Sequence, residues 1–240
     1  MEERLLSICI PMKNEEHNVA PLVSAIISAL EHHDNRAFEI IFADDGSIDG
    51  TLTMIREESQ KDTRVRYVSF DRNYGQTTAL VAGLRAARGS VIATMDGDLQ
   101  NDPADIPNML AVLEDCDMVC GIRQKRMDTW TRRISSRIAN TVRNKLTHDD
   151  IIDVGCSLRV FKRECFSSIK LYEGMHRFFP TLVKMEGFKI RQVPVNHHPR
   201  ARGETKYGVR NRLFVGIKDL LAVRWMQSRH IRYTIKECSS

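Results

Sequence analysis

Apolar and polar positions come in blocks along this chain, and the period changes from block to block. Leu5 to Pro11 is a short continuous apolar run, the pattern of a strand buried on both faces. Val19 to Leu30 then carries apolar residues at helical spacing behind a possible cap at Asn18. The pair predicts a βα unit. Phe38 to Ala43 repeats the apolar run and ends in Asp44-Asp45-Gly46-Ser47, after which Asp49 can cap a helix through Met54 and Ile55. Val65 to Phe70 predicts a third strand, Thr77 to Ala87 a third helix stopping at Gly89, and Val91 to Met95 a fourth strand. Such alternation implies a mainly parallel sheet, because each parallel pair needs a crossover long enough to hold a helix.

Beyond Pro103 the alternation loosens. The pattern predicts a helix over Ile106 to Leu113, a short strand over Met118 to Gly121 and a long basic helix over Thr129 to Leu146. A strand over Val154 to Phe161, a helix over Phe178 to Met185, a strand over Lys189 to Val195 and a polar loop over Asn196 to Gly208 follow. In the last helical stretch, Leu213 to Trp225, the residues Leu213, Phe214, Ile217, Leu220, Leu221 and Met226 recur at roughly helical spacing beside Arg210, Arg212, Lys218 and Arg224. That helix reads as amphipathic and basic, suited either to packing on its own domain or to lying on lipid. With no internal repeat or low-complexity linker, the chain divides into one α/β domain over residues 1–208 and a basic helical appendage over 209–240.

Charge sharpens this picture. The formal net charge is only +5, but it is concentrated: Arg123 to Lys145 holds eight Lys and Arg against Asp128 alone, and Arg191 to Arg232 holds ten against Glu204 and Asp219. Single charges of this kind are ordinary solvated helix faces. Two clusters together suit phosphates or an anionic membrane surface. The six cysteines show no paired zinc spacing and read as reduced thiols. No run approaches the roughly 18–20 apolar residues of a membrane span, and the opening Met-Glu-Glu-Arg precedes a run too short for a signal peptide. The expectation is a chain that does not cross a bilayer by itself and works in the cytoplasm, peripheral on the cytoplasmic face of a membrane.

The candidate chemistry is acidic and lies at strand ends. In open parallel sheets, ligands collect outside the carboxyl ends of the strands. There the second strand runs into Asp44-Asp45 and the fourth into Asp96-Gly97-Asp98. Carboxylates so close repel one another unless a cation neutralises them. Mg2+ or Mn2+ bound by one or two carboxylates, its other positions open to water and diphosphate oxygens, suits Asp96 and Asp98, with Gly97 letting the backbone turn between them. Taken alone, Asp-Gly-Asp is an ordinary turn; its place directly after an apolar strand points to a site.

Pro11-Met12-Lys13-Asn14-Glu15-Glu16, Asp44-Asp45-Gly46-Ser47, Arg72-Asn73-Tyr74-Gly75 and Asp96-Gly97-Asp98-Leu99-Gln100-Asn101-Asp102-Pro103 occur in this order, and the set resembles the family 2 glycosyltransferases of GT-A, Rossmann-like fold. Within that family the chain is similar to the polyprenyl-phosphate transferases, among them dolichyl-phosphate mannosyltransferases and bacterial undecaprenyl-phosphate enzymes. That likeness rests on Gly121-Ile122-Arg123, Asp153 to Arg159 and Arg200 to Gly208. The resemblance implies a nucleoside pocket at Pro11, Asn14, Glu15, Asp44 and Asp45, and a metal and diphosphate site at Asp96 and Asp98, with Gln100 touching metal or sugar. It implies a basic loop at Arg202 and Lys206 closing over the diphosphate. Arg123 and Arg133 are the candidates for gripping an acceptor phosphate, a task that suits the guanidinium fork. Asp153 matches an acidic position near the acceptor, where it positions an arginine.

The resemblance therefore implies an inverting, metal-dependent transfer of a sugar from a UDP- or GDP-sugar to a polyprenyl phosphate, dolichyl or undecaprenyl. The partner is a membrane surface or a separate membrane subunit, and no nucleic acid is expected. A phosphate monoester, with a second pKa of roughly 6, is already largely dianionic near pH 7 and needs no dedicated base. The nearest alternative is a family 2 transferase acting on a sugar hydroxyl or a protein, with Asp153 as base. A signalling receiver domain also pairs acids and binds Mg2+, but after its first strand and in a much shorter chain. A non-catalytic scaffold leaves Asp96, Asp98, Arg202 and Lys206 without a purpose.

Overall fold

The computed structural model describes residues 5–33, 36–124, 143–144, 146–147, 149–199, 209–231 and 236–237. Seven strands, β1 (Leu6–Met12), β2 (Phe38–Asp44), β3 (Val65–Ser69), β4 (Val91–Thr94), β5 (Met118–Arg123), β6 (Arg159–Lys162) and β7 (Ile190–Val195), form one sheet in the order β3-β2-β1-β4-β6-β5-β7. Around them lie α1 (Val19–His33), α2 (Thr51–Lys61), α3 (Gln76–Ala86), α4 (Ile106–Leu113), α5 (Arg163–Ser168), α6 (Phe179–Met185) and α7 (Val209–Ser228). Every pairing is parallel except those of β6, which runs antiparallel to both β4 and β5. The mainly parallel α/β sheet expected from the sequence is present.

Side chains on a strand alternate between faces, so a strand buried on both sides must be apolar throughout. In β1, Leu6, Ile8, Ile10 and Met12 join one core with Leu22 and Ile26 of α1 and Leu110 of α4, while Cys9 joins the other with Leu80 and Leu84 of α3. β2 divides the same way, Ile40 and Phe42 against Ile41. Each such side chain contributes about 1.5–3 kcal/mol of burial. The helix starts use the expected residues in modified form. The Asn18 carbonyl accepts from Leu22 N–H while its side chain donates to Glu15. Asp49, one residue before the Gly50 cap position, accepts from both the N–H and the hydroxyl of Thr51.

Three expected elements differ. The strand expected over Val154 to Phe161 is paired only from Arg159 to Lys162; Val154, Cys156 and Leu158 are buried at alternate positions but lie in a loop. Alternating burial mimics a strand where the chain crosses a core without a ladder. Of the basic helix expected over Thr129 to Leu146, residues 125–142 and Lys145 lie outside the described residues; Arg143, Asn144, Leu146 and Thr147 are helical. The last helix is longer than expected, and its apolar residues do not share one face. Val223 is fully buried, with Leu220 and Met226 against the second core, whereas Ile217 and Leu221 are exposed.

The sheet edge opposite the acidic loops is closed by one buried carboxylate. Glu39 Oε1 accepts from Ser7 Oγ and from Arg88 N–H, each at 2.6 Å, and Oε2 accepts from Arg66 at 2.6 Å, while Gly89 N–H donates to Ser7 Oγ. Arg163 reaches the carbonyls of Ala87 and Gly89 beside it. Burial alone would raise the Glu39 carboxyl, but the bonds from Ser7, the Arg88 N–H and Arg66 outweigh it and hold it below its ordinary range. A carboxyl held low by the fold stabilises above the unfolded glutamate value of about 4.3 and loses that contribution as pH falls through the lower folded value. Glu39→Gln should therefore cost about 1–3 kcal/mol at pH 7 in urea denaturation, and its gap to the parent chain should close as pH drops below about 4.

Candidate active site

The carboxyl ends of β1, β2 and β4 are neighbours in the sheet, so the loops leaving them share one edge. The loop after β1 and the loop after β2 are stitched together. Asn14 N–H donates to Ser47 Oγ at 2.9 Å, Ile48 N–H donates to Asn14 Oδ1 at 2.9 Å, Glu15 N–H donates to Thr51 Oγ1 at 2.8 Å, and Asp45 N–H donates to Met12 O. Asn14 has φ 49, in the left-handed region that non-glycine residues occupy sparingly and chiefly at functional loops. Pro11 lies one residue before the end of β1, at the root of the loop.

Asp44 and Asp45 are 1% and 4% exposed. Asp44 accepts from Ser47 N–H and Ser69 Oγ, and Asp45 accepts from the N–H groups of Tyr74 (2.6 Å) and Gly75 (3.0 Å). Both carboxylates thus shape the pocket wall by holding backbone, whatever else they bind. The Arg72-Asn73-Tyr74-Gly75 motif acquires a physical role here. It crosses over Gly46, whose φ of 61 and contact with the Arg72 backbone leave no room for a Cβ, and it sets Arg72 5.0 Å from the Tyr74 ring. Asp45 then fixes Gly75, at φ 96, as the start of α3.

The first turn of α3 bridges to the other acidic cluster. Gln76 Nε2 donates to Asp96 Oδ1 at 3.1 Å. The next residue, Thr77, is anchored through its hydroxyl by Gly174 N–H at 3.0 Å and by His176 Nδ1 at 2.7 Å. Burial, with Arg177 and Arg159 nearby, pushes His176 down to about 3, so this anchor is a neutral imidazole. Gln76 is a site residue that sequence reasoning missed, since nothing in its spacing distinguishes it from any helix-starting glutamine.

Around Asp96 the chain is drawn tight. Asp96 N–H donates to Asn101 Oδ1, Gln100 N–H donates to Asp98 Oδ1, and Leu99 between them has φ 60. Gly97 is required for a different reason from the one expected: a Cβ there would collide with Met12 Sδ, and its φ is not left-handed. Burial and the charge of Asp98 raise the Asp96 carboxyl, with Ser157, Arg159 and Arg123 opposing. Ser157 also donates to Asn101 at 2.8 Å. Arg159, at the end of the Asp153 to Arg159 motif, is buried and donates to the carbonyls of His176 and Val154.

Two further segments meet this loop. His198 N–H donates to Gln100 O at 2.8 Å, Gln100 Nε2 donates to His198 O at 3.3 Å, Asp102 and His198 Nε2 lie 3.2 Å apart, and Asp105 accepts twice from Asn196. The stem of the polar loop is thereby tied to the acidic loop. Arg202 and Lys206 beyond it, and Arg133, lie outside the described residues. On the other side Arg123 donates through Nε and Nη2 to both oxygens of Asp153, each at 2.8 Å. Burial opposes the Arg123 charge, but Asp153 outweighs it and raises the guanidinium, and Asp96 adds to the effect. Arg123 is therefore within electrostatic reach of the metal-type acids, and Asp153 is committed to it. Asp149, which accepts from Thr147, Thr181 and Ile151 N–H, anchors the loop that carries Asp153.

The chain matches the profile of glycosyl transferase family 2 over residues 7–170. It is 42% identical over 224 residues to dodecaprenyl-phosphate galacturonate synthase of Rhizobium johnstonii, covering 91% of this chain and 66% of that protein. It is 34% identical over 208 residues to undecaprenyl-phosphate 4-deoxy-4-formamido-L-arabinose transferase of Aeromonas hydrophila, covering 86% and 64%. The chain thus spans just under two thirds of the length of these relatives. Among solved structures it resembles a mannosyltransferase of Pyrobaculum calidifontis in complex with GDP-Man and Mn2+, with TM-score 0.63, 18% identity and 97% and 66% of the two chains covered. It also resembles glucosyl-3-phosphoglycerate synthase of Mycobacterium tuberculosis in complex with Mn2+, UDP-glucose and phosphoglyceric acid, with TM-score 0.66, 17% identity and 95% and 81% covered. At those identities the likeness is one of fold.

The ion pair at the site's edge can be tested by stability alone. Asp153→Asn leaves a largely buried guanidinium without its counter-charge and should cost about 3 kcal/mol in urea denaturation. Gly155→Ala, whose Cβ would stand 2.7 Å from Arg123 Nη2, should cost about 1–3 kcal/mol by displacing the same group. Unchanged midpoints for both would mean that the pair is solvated in solution.

Proposed function

From the premise that the chain belongs to glycosyl transferase family 2, we propose that it moves a sugar, with inversion, from a nucleotide diphosphate to a polyprenyl phosphate. The observation that carries this reading is the position of Asp96. It is joined through Gln76 and Gly75 to Asp45 on the nucleoside side, and it lies within electrostatic reach of the Asp153-paired Arg123 on the other. A donor pocket and a phosphate-binding arginine thus flank one pair of acids. The similarity to two polyprenyl-phosphate transferases supports the same acceptor class.

The donor set fits a hard divalent ion. Asp96 and Asp98 would supply oxygen ligands, and burial together with the charge of Asp98 raises the Asp96 carboxyl. Among the described residues no group of three His, Cys, Asp or Glu forms a protein cage, which matches Mg2+ or Mn2+ sharing its shell with diphosphate and water. When bound, such an ion neutralises the diphosphate and its developing leaving charge. Pro11, Asn14, Glu15, Asp44 and Asp45 wall the nucleoside, and Gln100 stands where metal or sugar would be. Arg202 and Lys206, on the loop whose stem is tied to Gln100 and Asp102, would cover the diphosphate.

Arg123, with Arg133, orients the acceptor phosphate. The phosphate is its own nucleophile, so Asp153 acts by holding Arg123 in place. A carboxylate accepting two guanidinium bonds is a poor base, which weighs against the alternative of a hydroxyl acceptor activated by Asp153. In this reading residues 1–208 form the catalytic domain and 209–240 a basic helical appendage. No helix among the described residues is long and apolar enough to cross a membrane. The reading places the lipid acceptor at the cytoplasmic face of a membrane, with the membrane surface or a separate membrane subunit as partner.

The primary test is turnover of UDP-galacturonate, UDP-glucose, UDP-4-deoxy-4-formamido-arabinose and GDP-mannose with Mn2+ or Mg2+, with and without a short polyprenyl phosphate. Metal-dependent nucleotide release that requires the lipid phosphate and yields a glycosyl phospholipid is the expected result; equal rates without lipid would overturn the acceptor. Asp98→Ala should lower kcat/KM by roughly 100-fold or more. Asp153→Asn, compared at equal folded fraction, should lose about 10–100-fold, whereas a loss beyond roughly 1,000-fold would restore it as base. The rate should rise with pH through about 6 as the acceptor becomes dianionic, and a flat profile there would sink the phosphate mechanism.

A further inference from the structure

Arg159 is a cation buried without a carboxylate. Its side chain is 5% exposed, and among the described residues its hydrogen bonds go to two carbonyls, His176 O at 3.1 Å and Val154 O at 3.0 Å, with the Phe179 ring 5.9 Å away. Burying a charge on neutral partners is costly, so a guanidinium kept there does something an apolar side chain could not. The two carbonyls belong to separate segments. Val154 follows Asp153, the partner of Arg123, whereas His176 lies in the loop before α6.

From this guanidinium the contacts run to Asp96 along two routes. On the first, His176 Nδ1 lies 2.7 Å from Thr77 Oγ1, which also accepts from Gly174 N–H, and the neighbouring Gln76 donates to Asp96 Oδ1 at 3.1 Å. Asp219 of α7 backs this route, lying over Gly174 where a Cβ would stand 2.7 Å from its Oδ2. On the second, Ser157, two residues before Arg159, donates to Asn101 Oδ1 at 2.8 Å, and the same oxygen accepts from Asp96 N–H at 3.2 Å. The routes close a ring. It leaves Asp96 through its carboxyl and returns to it through its backbone.

An open string of contacts lets its free end swing, whereas a closed ring removes that freedom from every member at once. We propose that Thr77, His176 and Arg159 are positioning residues that act as one unit, closing the ring that fixes the Asp96 carboxyl for the divalent ion while acting only through Gln76 and Asn101. The bond to Val154 O ties the segment of Asp153 to the same ring. Were these residues three unrelated struts, their losses would be independent. In a ring, one cut releases what a second cut would have released.

The test uses the full chain and Mn2+-dependent binding of UDP, with GDP in parallel, followed by calorimetry at equal folded fraction. It needs neither sugar nor acceptor. Thr77→Val and Arg159→Lys should each raise the Mn2+ concentration for half-saturation about tenfold. The double variant should be no weaker than the weaker single one, whereas independent sites would multiply to about a hundredfold. Thr77→Ser keeps the hydroxyl and His176→Asn places an amide atom near Nδ1, so both should stay within about threefold of the parent chain, while His176→Gln should behave as Thr77→Val. If Arg159→Lys fails to fold, Ser157→Ala replaces it and cuts the ring on the same side. Multiplying losses in the double variant, or a parent-like Mn2+ requirement in Thr77→Val, overturns the proposal.

The proposal rests on the reading of Asp96 as a metal ligand. If the parent chain binds neither UDP nor GDP with Mn2+, that reading falls, and hydrogen exchange decides the ring. The N–H groups of residues 74–77 should then exchange about tenfold faster in Thr77→Val and in the Arg159 or Ser157 variant alike. Exchange there that the second variant leaves unchanged overturns the ring.

Discussion

The burial of Asp96 beside the charge of Asp98 sets the electrostatic demand that the rest of this edge answers. Two carboxylates leave the end of β4 within three residues, and burial first, with the charge of Asp98 after it, raises the Asp96 carboxyl. Such a pair is tolerable only if the surrounding groups lend it donors or positive charge. Gln76 and Ser157 supply neutral donors, and Arg159 and Arg123 supply charge, but the carboxyl of Asp96 remains raised. Burial and the charge of Asp98 thus outweigh the donors and cations gathered around Asp96. Backbone strain collects at the same place, with Asn14 and Leu99 both in the left-handed region.

The fold manages its other buried charges differently. Glu39, at the far edge, is satisfied by three donors and held low, and Asp153 is paired on both oxygens to Arg123. Asp45 spends its carboxylate on the backbone of Tyr74 and Gly75. These groups are closed networks that hold positions, whereas the Asp96 carboxyl stays raised by burial and by the charge of Asp98.

One turn of helix connects the acidic clusters at this edge. α3 begins where Asp45 holds it, offers Gln76 to Asp96, and is anchored at Thr77 by the loop on which α7 rests through Asp219. The Asp45 loop, Asp96 and the C-terminal helix thus share a structural element whose own sequence carries no distinguishing motif.

Much of this was legible in the chain itself. Continuous apolar runs alternating with helical periodicity determine the parallel βα core, and acids placed directly after those runs must gather at one edge, because strand polarity in a parallel sheet leaves them nowhere else. The paired role of Asp153 was likewise expected from its motif. What the chain could not show was anything that depends on two distant segments meeting. Val154 to Leu158 reads as a strand because its burial alternates, although no neighbour pairs with it. Gly97 reads as a turn residue, although Met12 Sδ is what excludes a side chain there. The apolar residues of α7 read as a single stripe, and packing divided them, burying Val223 and leaving Leu221 and Trp225 outside. Periodicity records that a side chain is apolar, and only the assembled core decides which apolar side chains it has room to cover.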